Sequence, residues 1–316
     1  MSQASAPGKV ILFGEHAVVY GQPALAVPVT QVHADVEIEA SSKPGIWIDA
    51  PDVHLSSGLD ALASSHPIAA TVKNTLSALG FSPSPLGRGD RGEGIEIRIR
   101  STIPVASGLG SGAAVSVAII RALAGYLDRH LTDERVSAIA YETEKLHHGT
   151  PSGIDNSVVT YAKPVYFVKG QGVETFHVGR PFTIVIGDTG ISASTKESVG
   201  DVRMLWRAGR SHVESLFAAI GSIVRTARQL IQDGTPRGLG PLMDENHALL
   251  QEMTVSSPEL DRLVAAGRSA GAWGAKMSGG GRGGNMIALV GEDDAEPVAA
   301  ALRDAGAVKA IITRVA

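Results

Sequence analysis

The sequence predicts an α+β protein of two domains, and three observations carry that expectation. The chain has 316 residues, enough for two ordinary domains. Its first half mixes strand-like alternation with apolar helical stretches, whereas its second half is mostly helical. Short apolar runs near the C-terminus close the pattern as strands. A boundary is expected around residues 170–180, which gives domains 1–178 and 179–316.

Residues 10–13 form a short apolar run ending at Gly14, read as a buried strand. From 32 to 40 the pattern alternates, with Val32, Ala34, Val36 and Ile38 on one face. His33, Asp35, Glu37 and Glu39 occupy the other, as in a half-buried strand. Ile68, Val72, Leu76 and Leu79 have helical spacing, and Gly80 stops that helix. Residues 87–94 lack periodicity and read as an exposed loop. Ile95, Ile97 and Ile99 then alternate with Glu96, Arg98 and Arg100 in a strand that leads into a glycine cluster.

Beyond that cluster, 113–127 is apolar and long enough for a buried helix. Thr132-Asp133-Glu134 opens a second helix running to about His147, with Thr or Asp as its cap. Residues 161–169 read as a strand, turned by Gly170-Gln171-Gly172, and 182–186 as another. Helices follow from about Glu197, broken at 233–240 and 256–258. Residues 275–278, 286–290 and 310–314 supply the closing strands.

Composition narrows the function. Net charge is −4, so a basic stripe for nucleic acid has no support. There is no cysteine, which removes disulfides, thiolate metal sites and cysteine nucleophiles, and fits a cytoplasmic location. No apolar run reaches the roughly 20 residues that span a bilayer. Residues 1–8 lack the pattern of a signal peptide, so neither membrane insertion nor export is expected.

Four segments carry candidate chemistry. The first glycine cluster is Pro104-Val105-Ala106-Ser107-Gly108-Leu109-Gly110-Ser111-Gly112-Ala113-Ala114, between a strand and an apolar helix. Backbone amides there can turn toward an anion, and the helix N-terminus adds its positive end. It is neither a Walker A loop nor a G-x-G-x-x-G fingerprint, and a structural turn is the simpler alternative. An earlier segment, Ala6-Pro7-Gly8-Lys9-Val10-Ile11-Leu12-Phe13-Gly14-Glu15-His16, puts polar groups at both ends of a buried strand. Taken singly, Lys9 reads as a solvated lysine and His16 as a turn residue.

A third segment runs from Glu144 through His147-His148-Gly149-Thr150-Pro151-Ser152-Gly153-Ile154 to Asp155-Asn156. Two carboxylates separated by a Gly/Pro/Ser loop could hold a cation and serve as a general base, or Asp155-Asn156 could be a turn. The adjacent histidines point apart on a helix, against zinc. The fourth, Lys276-Met277-Ser278-Gly279-Gly280-Gly281-Arg282-Gly283-Gly284-Asn285, reads as backbone shaped for close approach to a ligand, or as a flexible loop.

Together, and in this order, the segments resemble the GHMP kinase superfamily over nearly the whole chain. Ala6–Gly21 and His148–Asn156 resemble its mevalonate kinase branch, as do Asp188-Thr189-Gly190-Ile191-Ser192-Ala193-Ser194-Thr195-Lys196 and Leu242-Met243-Asp244-Glu245-Asn246-His247. The resemblance implies an N-terminal α/β domain like domain 2 of ribosomal protein S5 and a ferredoxin-like C-terminal domain. It also implies ATP and Mg²⁺ as cofactors, mevalonate as substrate and a homodimer.

By the same resemblance Asp155 is the catalytic base and Lys9 the lysine beside it. Glu144 and Ser111 would hold the metal, and Glu15, His16 and Thr195 would face mevalonate. Ser101, Pro104, Ala106, Ser107, Gly108, Leu109, Gly110, Ser111, Gly112 and Ala113 would bind the nucleotide and its phosphates. One departure stands out: the branch commonly reads Gly-Leu-Gly-Ser-Ser-Ala-Ala, and here the second serine is Gly112. Arg282 and Asn285 likewise replace glycine and a small residue; Arg282 reads equally as a phosphate contact or a solvated side chain. Another GHMP kinase, or a silent ligand-sensing relative, is the competing expectation.

Overall fold

The structure, a computed structural model, describes residues 1–81, 94–104, 107–148 and 152–316. Most of the loop expected at 87–94, together with Ala106 and Gly149-Thr150-Pro151, therefore lies outside the described residues.

The strands are β1 (Ser2–Phe13), β2 (Pro23–Ser41), β3 (Ile46–Ala50), β4 (Leu55–Gly58), β5 (Gly94–Ser101), β6 (Val165–Val168), β7 (Glu174–Thr175), β8 (Phe182–Asp188), β9 (Gly274–Ser278), β10 (Asn285–Val290) and β11 (Lys309–Val315). The helices are α1 (Pro67–Ala78), α2 (Ser111–Tyr126), α3 (Asp133–His148), α4 (Ile154–Tyr161), α5 (Thr195–Ala208), α6 (Arg210–Gln232), α7 (Leu239–Glu252), α8 (Pro258–Ser269) and α9 (Ala295–Asp304). No described helix is long and apolar enough to cross a membrane.

The chain forms two compact units interleaved in sequence. One comprises Met1–Gly8, Val32–Pro104 and Gly110–Ala162; the other holds Lys9–Gln31, Lys163–Ala316 and, of the stretch between Pro104 and Gly110, residues 107–109.

In the first unit the strand order is β4-β3-β5-β2, with β3 and β5 parallel and the other neighbours antiparallel. The alternation expected for 32–40 is present: Val36 pairs with Ile99 and Ile38 with Ile97, all buried. Helices α1, α2, α3 and α4 pack on one another. Val72, Leu76, Val117, Ile119, Ile120 and Leu123 are fully buried among them, which is the apolar periodicity of the sequence put to use. Gly80 ends α1 with φ of 79°, while Gly80 N–H bonds Ser77 and Phe81 N–H bonds Leu76. That is the paired closure a left-handed glycine permits. Thr132 supplies the cap of α3 through its Oγ1, 3.4 Å from Arg135 N.

In the second unit, Pro23–Ala26 of β2 pairs with β6, and β6 with β7. A separate sheet has the antiparallel order β11-β8-β10-β9, and with α9 and the helices between β8 and β9 it gives the β-α-β-β-α-β arrangement of a ferredoxin-like domain. Every residue of β8, β9 and β10 is buried, which explains why these strands read as apolar runs without alternation. The break at 256–258 is an N-cap: Ser257 Oγ accepts from Leu260 N–H, and Pro258 takes the first helical position.

Two readings need correction. Residues 161–169 are not one strand: Tyr161 ends α4, and β6 begins only at Val165. The β-branched run Val158-Val159-Thr160 is buried on a helix, where packing overrides strand propensity. The strand expected at 10–13 is only the end of β1, whose Ser/Ala/Gly-rich first part lacks an apolar signal.

Candidate active site

Within the second unit, the candidate substrate residues gather around β9 and the loop that follows it. Gly14 follows β1 with φ of 102°, and a Cβ there would lie 2.5 Å from Ala24 Cα. Only glycine fits, and the tight turn delivers Glu15 and His16 inward. Both are buried. His16 itself takes φ of 60°, an unusual conformation for a residue with a side chain.

His16 Nε2 lies 3.0 Å from the Gly280 carbonyl oxygen. A carbonyl only accepts, so Nε2 carries the proton. Burial holds the His16 pKa down to about 4; the Gly280 hydrogen bond opposes that shift and the nearby Arg282 charge adds to it. The ring is thus neutral at ordinary pH, and its Nδ1 presents a lone pair. That Nδ1 is buried with no hydrogen-bond partner, as is Glu15 Oε2. The other carboxylate oxygen, Oε1, accepts from the Lys276 ammonium.

Thr195 opens α5, where Ser194 caps the helix by accepting from Glu197 N–H. Its Oγ1 would lie 2.9 Å from a Cβ placed on Gly280. His16 and Thr195 therefore meet at one loop, and Glu15 reaches β9, the strand that leads into it, although 180 residues separate Glu15 from Thr195. The loop is held from several sides. Gly281, with φ of 80°, passes so close to Val255 that a Cβ would lie 1.8 Å from its carbonyl oxygen. Arg282 is not a lone solvated side chain: its Nη1 donates to Asp201 on α5. Asn285 Nδ2 donates to the Ser107 carbonyl of the first glycine cluster.

Lys9 is buried rather than solvated, and its backbone N–H bonds the Leu109 carbonyl at 2.9 Å. Lys9, Ser107, Gly108 (φ of 80°) and Leu109 are thus neighbours in the second unit.

Within the first unit, Gly110 adopts φ of 75° and opens α2 without a side-chain cap. The first amides of α2, at Ser111, Gly112 and Ala113, have no intrahelical acceptor, and no acidic side chain lies in that turn. Such an end is suited to an anion. Pro104 and Ser101 stand before the cluster; Ser101 N–H bonds Asp52 at 2.7 Å, and its Oγ accepts from Ile103 N–H at 3.2 Å.

Glu144 is buried on α3, next to Thr143, whose hydroxyl bonds Thr71. Asp155 lies in the first turn of α4 rather than in an Asp-Asn turn. The helix is fixed in place: Asn156 Nδ2 donates to Ser137 Oγ at 2.8 Å, and Arg121 donates to the Thr160 carbonyl at 2.6 Å. No group of three or more His, Asp or Glu side chains suited to a metal occurs among the described residues.

Lys276 was not singled out by the sequence reading, although a signal existed. A lone lysine inside Gly-Ala-Lys-Met-Ser, an otherwise uncharged strand, requires a buried partner.

The chain matches the model "GHMP kinases N terminal domain" over residues 68–163 and "GHMP kinases C terminal" over 227–308. It is 38% identical to a mevalonate kinase of Pyrococcus horikoshii and 36% identical to one of Thermococcus sibiricus, in each case over 99% of this chain and 95% of the relative. The solved L. major mevalonate kinase in complex with R-mevalonate superposes with a TM-score of 0.86 and 30% identity, covering 100% of this chain and 96% of that one. With this likeness running end to end, the chain belongs to the mevalonate kinase family of ATP-dependent GHMP kinases.

Proposed function

We propose that the protein transfers the γ-phosphoryl group of ATP to the C5 hydroxyl of (R)-mevalonate, giving 5-phosphomevalonate and ADP. The observation that carries the substrate is the pair of buried acceptors, Glu15 Oε2 and His16 Nδ1, adjacent in sequence and both without a donor. Buried polar atoms in folded proteins are nearly always paired, and two adjacent acceptors without a donor beside a glycine-rich loop support a ligand as the partner. That ligand must bring hydrogen-bond donors. Mevalonate carries two hydroxyls, whereas an additional phosphate would offer these atoms only more acceptors. Thr195, beside the same loop, completes the substrate set.

In the transfer, the bond from the γ-phosphorus to the bridging oxygen of ADP breaks as a bond to the C5 oxygen forms. Asp155 accepts the hydroxyl proton, and Lys9 supplies positive charge to the developing alkoxide. Asp155 and Lys9 are the catalytic residues of this reading. The nucleotide is held by Ser101, Pro104, Ala106 and the run from Ser107 to Ala113, and the N–H groups of that run offer donors to the phosphate oxygens.

Glu144 and Ser111 would hold Mg²⁺. A buried carboxylate and a hydroxyl are hard oxygen donors, and an ion that retains several waters needs few protein ligands. When bound, the ion neutralises phosphate charge. Gly112 has no hydroxyl to contribute, so Glu144 carries more of the metal's binding than in relatives with a serine there. The reading further takes the enzyme as a cytoplasmic homodimer with domains 1–178 and 179–316.

The test is ADP release with mevalonate, phosphomevalonate, galactose and homoserine offered separately. Turnover is expected with mevalonate. Turnover with none of them, or only with a sugar, would overturn the reading.

A further inference from the structure

Lys276 has no part in the chemistry above, yet it is the most deeply buried charge among the described residues. It stands in the middle of β9 at 0% exposure, and so does the side chain of Glu15. Its ammonium donates to Glu15 Oε1 and, at 2.6 Å, to the Met277 carbonyl. The Phe13 ring lies 5.8 Å away. Burial pulls the Lys276 pKa down, and Glu15 pulls it back up.

A buried ion pair is a weak source of stability, because desolvating two charges offsets most of their attraction. A leucine or methionine would suit this strand at least as well. The pair makes sense if the carboxylate itself is needed. Its geometry shows what is left over: one oxygen is committed to Lys276, and the other is buried with no donor. A carboxylate tethered at one oxygen cannot swing, so the second oxygen keeps a fixed direction. Gly14 fixes the backbone at one end of Glu15, and Ser278 Oγ, donating to the Ile11 carbonyl at 2.8 Å, ties β9 to the strand that leads into it.

We propose that Lys276 is a positioning residue for substrate binding: it holds Glu15 as an oriented carboxylate whose Oε2 accepts a hydrogen bond from a hydroxyl of the alcohol substrate. This rests on reading Glu15 as substrate-facing. Lys276 does not touch the substrate, so its effect is confined to the affinity that Glu15 provides.

The experiment compares wild type, Lys276→Met, Glu15→Gln and the double variant in steady-state kinetics with both substrates varied. Lys276→Met should raise the mevalonate KM about 10- to 100-fold, the range for losing a hydrogen bond to a charged group, with the ATP KM and kcat within about threefold. A bridge with a structural role alone would lower Tm without separating the two KM values. Glu15→Gln should raise the mevalonate KM over the same range. Adding Lys276→Met to Glu15→Gln should then change it by less than about twofold, because the lysine acts through the carboxylate.

If Lys276→Met does not fold, the comparison of Glu15→Gln with the double variant decides, since both lack the uncompensated anion. Should the double variant fail as well, Glu15→Gln alone still bears on the proposal. An unchanged KM in Glu15→Gln would remove Glu15 from the substrate and the proposal with it. An effect of Glu15→Gln with none from Lys276→Met, or a double variant tenfold worse than Glu15→Gln, would overturn the role of Lys276 alone.

Discussion

Asn285 offers a sharp perturbation because one side-chain amide joins two glycine-rich segments. Its Nδ2 donates to the Ser107 carbonyl, and the side chain is buried. The amide therefore ties the β9–β10 loop to the first glycine cluster, the proposed phosphate cradle. Asn285→Ala removes that one amide–carbonyl bond and little volume from the core. A buried neutral hydrogen bond contributes about 0.5–1.5 kcal/mol net. If the loss falls on the nucleotide-ready form of the cradle, the ATP KM rises about 2- to 13-fold, since about 1.4 kcal/mol is a factor of ten. The mevalonate KM should stay within about twofold, because His16 and Thr195 keep their places beside Gly280 and Glu15 keeps its bond to Lys276. Coupled ADP release with each substrate varied in turn reads both constants. An unchanged ATP KM would refute the staple, and equal increases in both constants would show a general loosening instead.

Other outcomes follow from the same contacts. Asp155→Asn should lower kcat by at least about 100-fold while the protein stays folded, the lower range for a positioned base; near-normal turnover removes Asp155 from proton transfer. Gly112→Ser should change activity by less than about tenfold, because Mg²⁺ needs few protein ligands; a gain of several orders of magnitude would show the natural cradle to be defective. Burial is the main cause holding both His16 and His247 at about 4, against about 6.5 for an unfolded histidine. Between those values the unfolded chain binds more protons, so stability is full above about pH 6.5 and is lost as pH falls through about 4. Tm should drop across that window, and His247→Gln should flatten the slope; a variant with the wild-type slope would contradict the assignment.

Much of this was legible in the sequence because local patterns and tertiary burial agree there. Alternation at Val36 and Ile38, the glycine stop at Gly80 and the break at 256–258 each state their structure in a few residues. The motif order also put Glu15, His16 and Thr195 in one proposed set; in the structure His16 and Thr195 lie beside Gly280, and Glu15 bonds Lys276 on the preceding strand. What escaped depends on distant partners. Lys9 reads as a surface lysine until its strand is seen to be buried, and Lys276 reads as part of a glycine-rich segment until Glu15, 261 positions away, is set against it. The helix at 154–161 escaped for the opposite reason: Val158-Val159-Thr160 prefers strand locally and is overruled by packing on α2 and α3. Strands β3 and β4 are too short to signal themselves, and the interleaving of the two units leaves no mark in composition.

The most direct test of the central claim is the identity of the product. Purified protein is incubated with ATP, Mg²⁺ and mevalonate labelled with ¹³C at C5, and phosphorus and carbon NMR spectra are recorded. The account expects one new monoester whose phosphorus couples to the labelled C5, formed in step with ADP. Phosphate on the C3 oxygen, or ADP without a mevalonate phosphate, would contradict it.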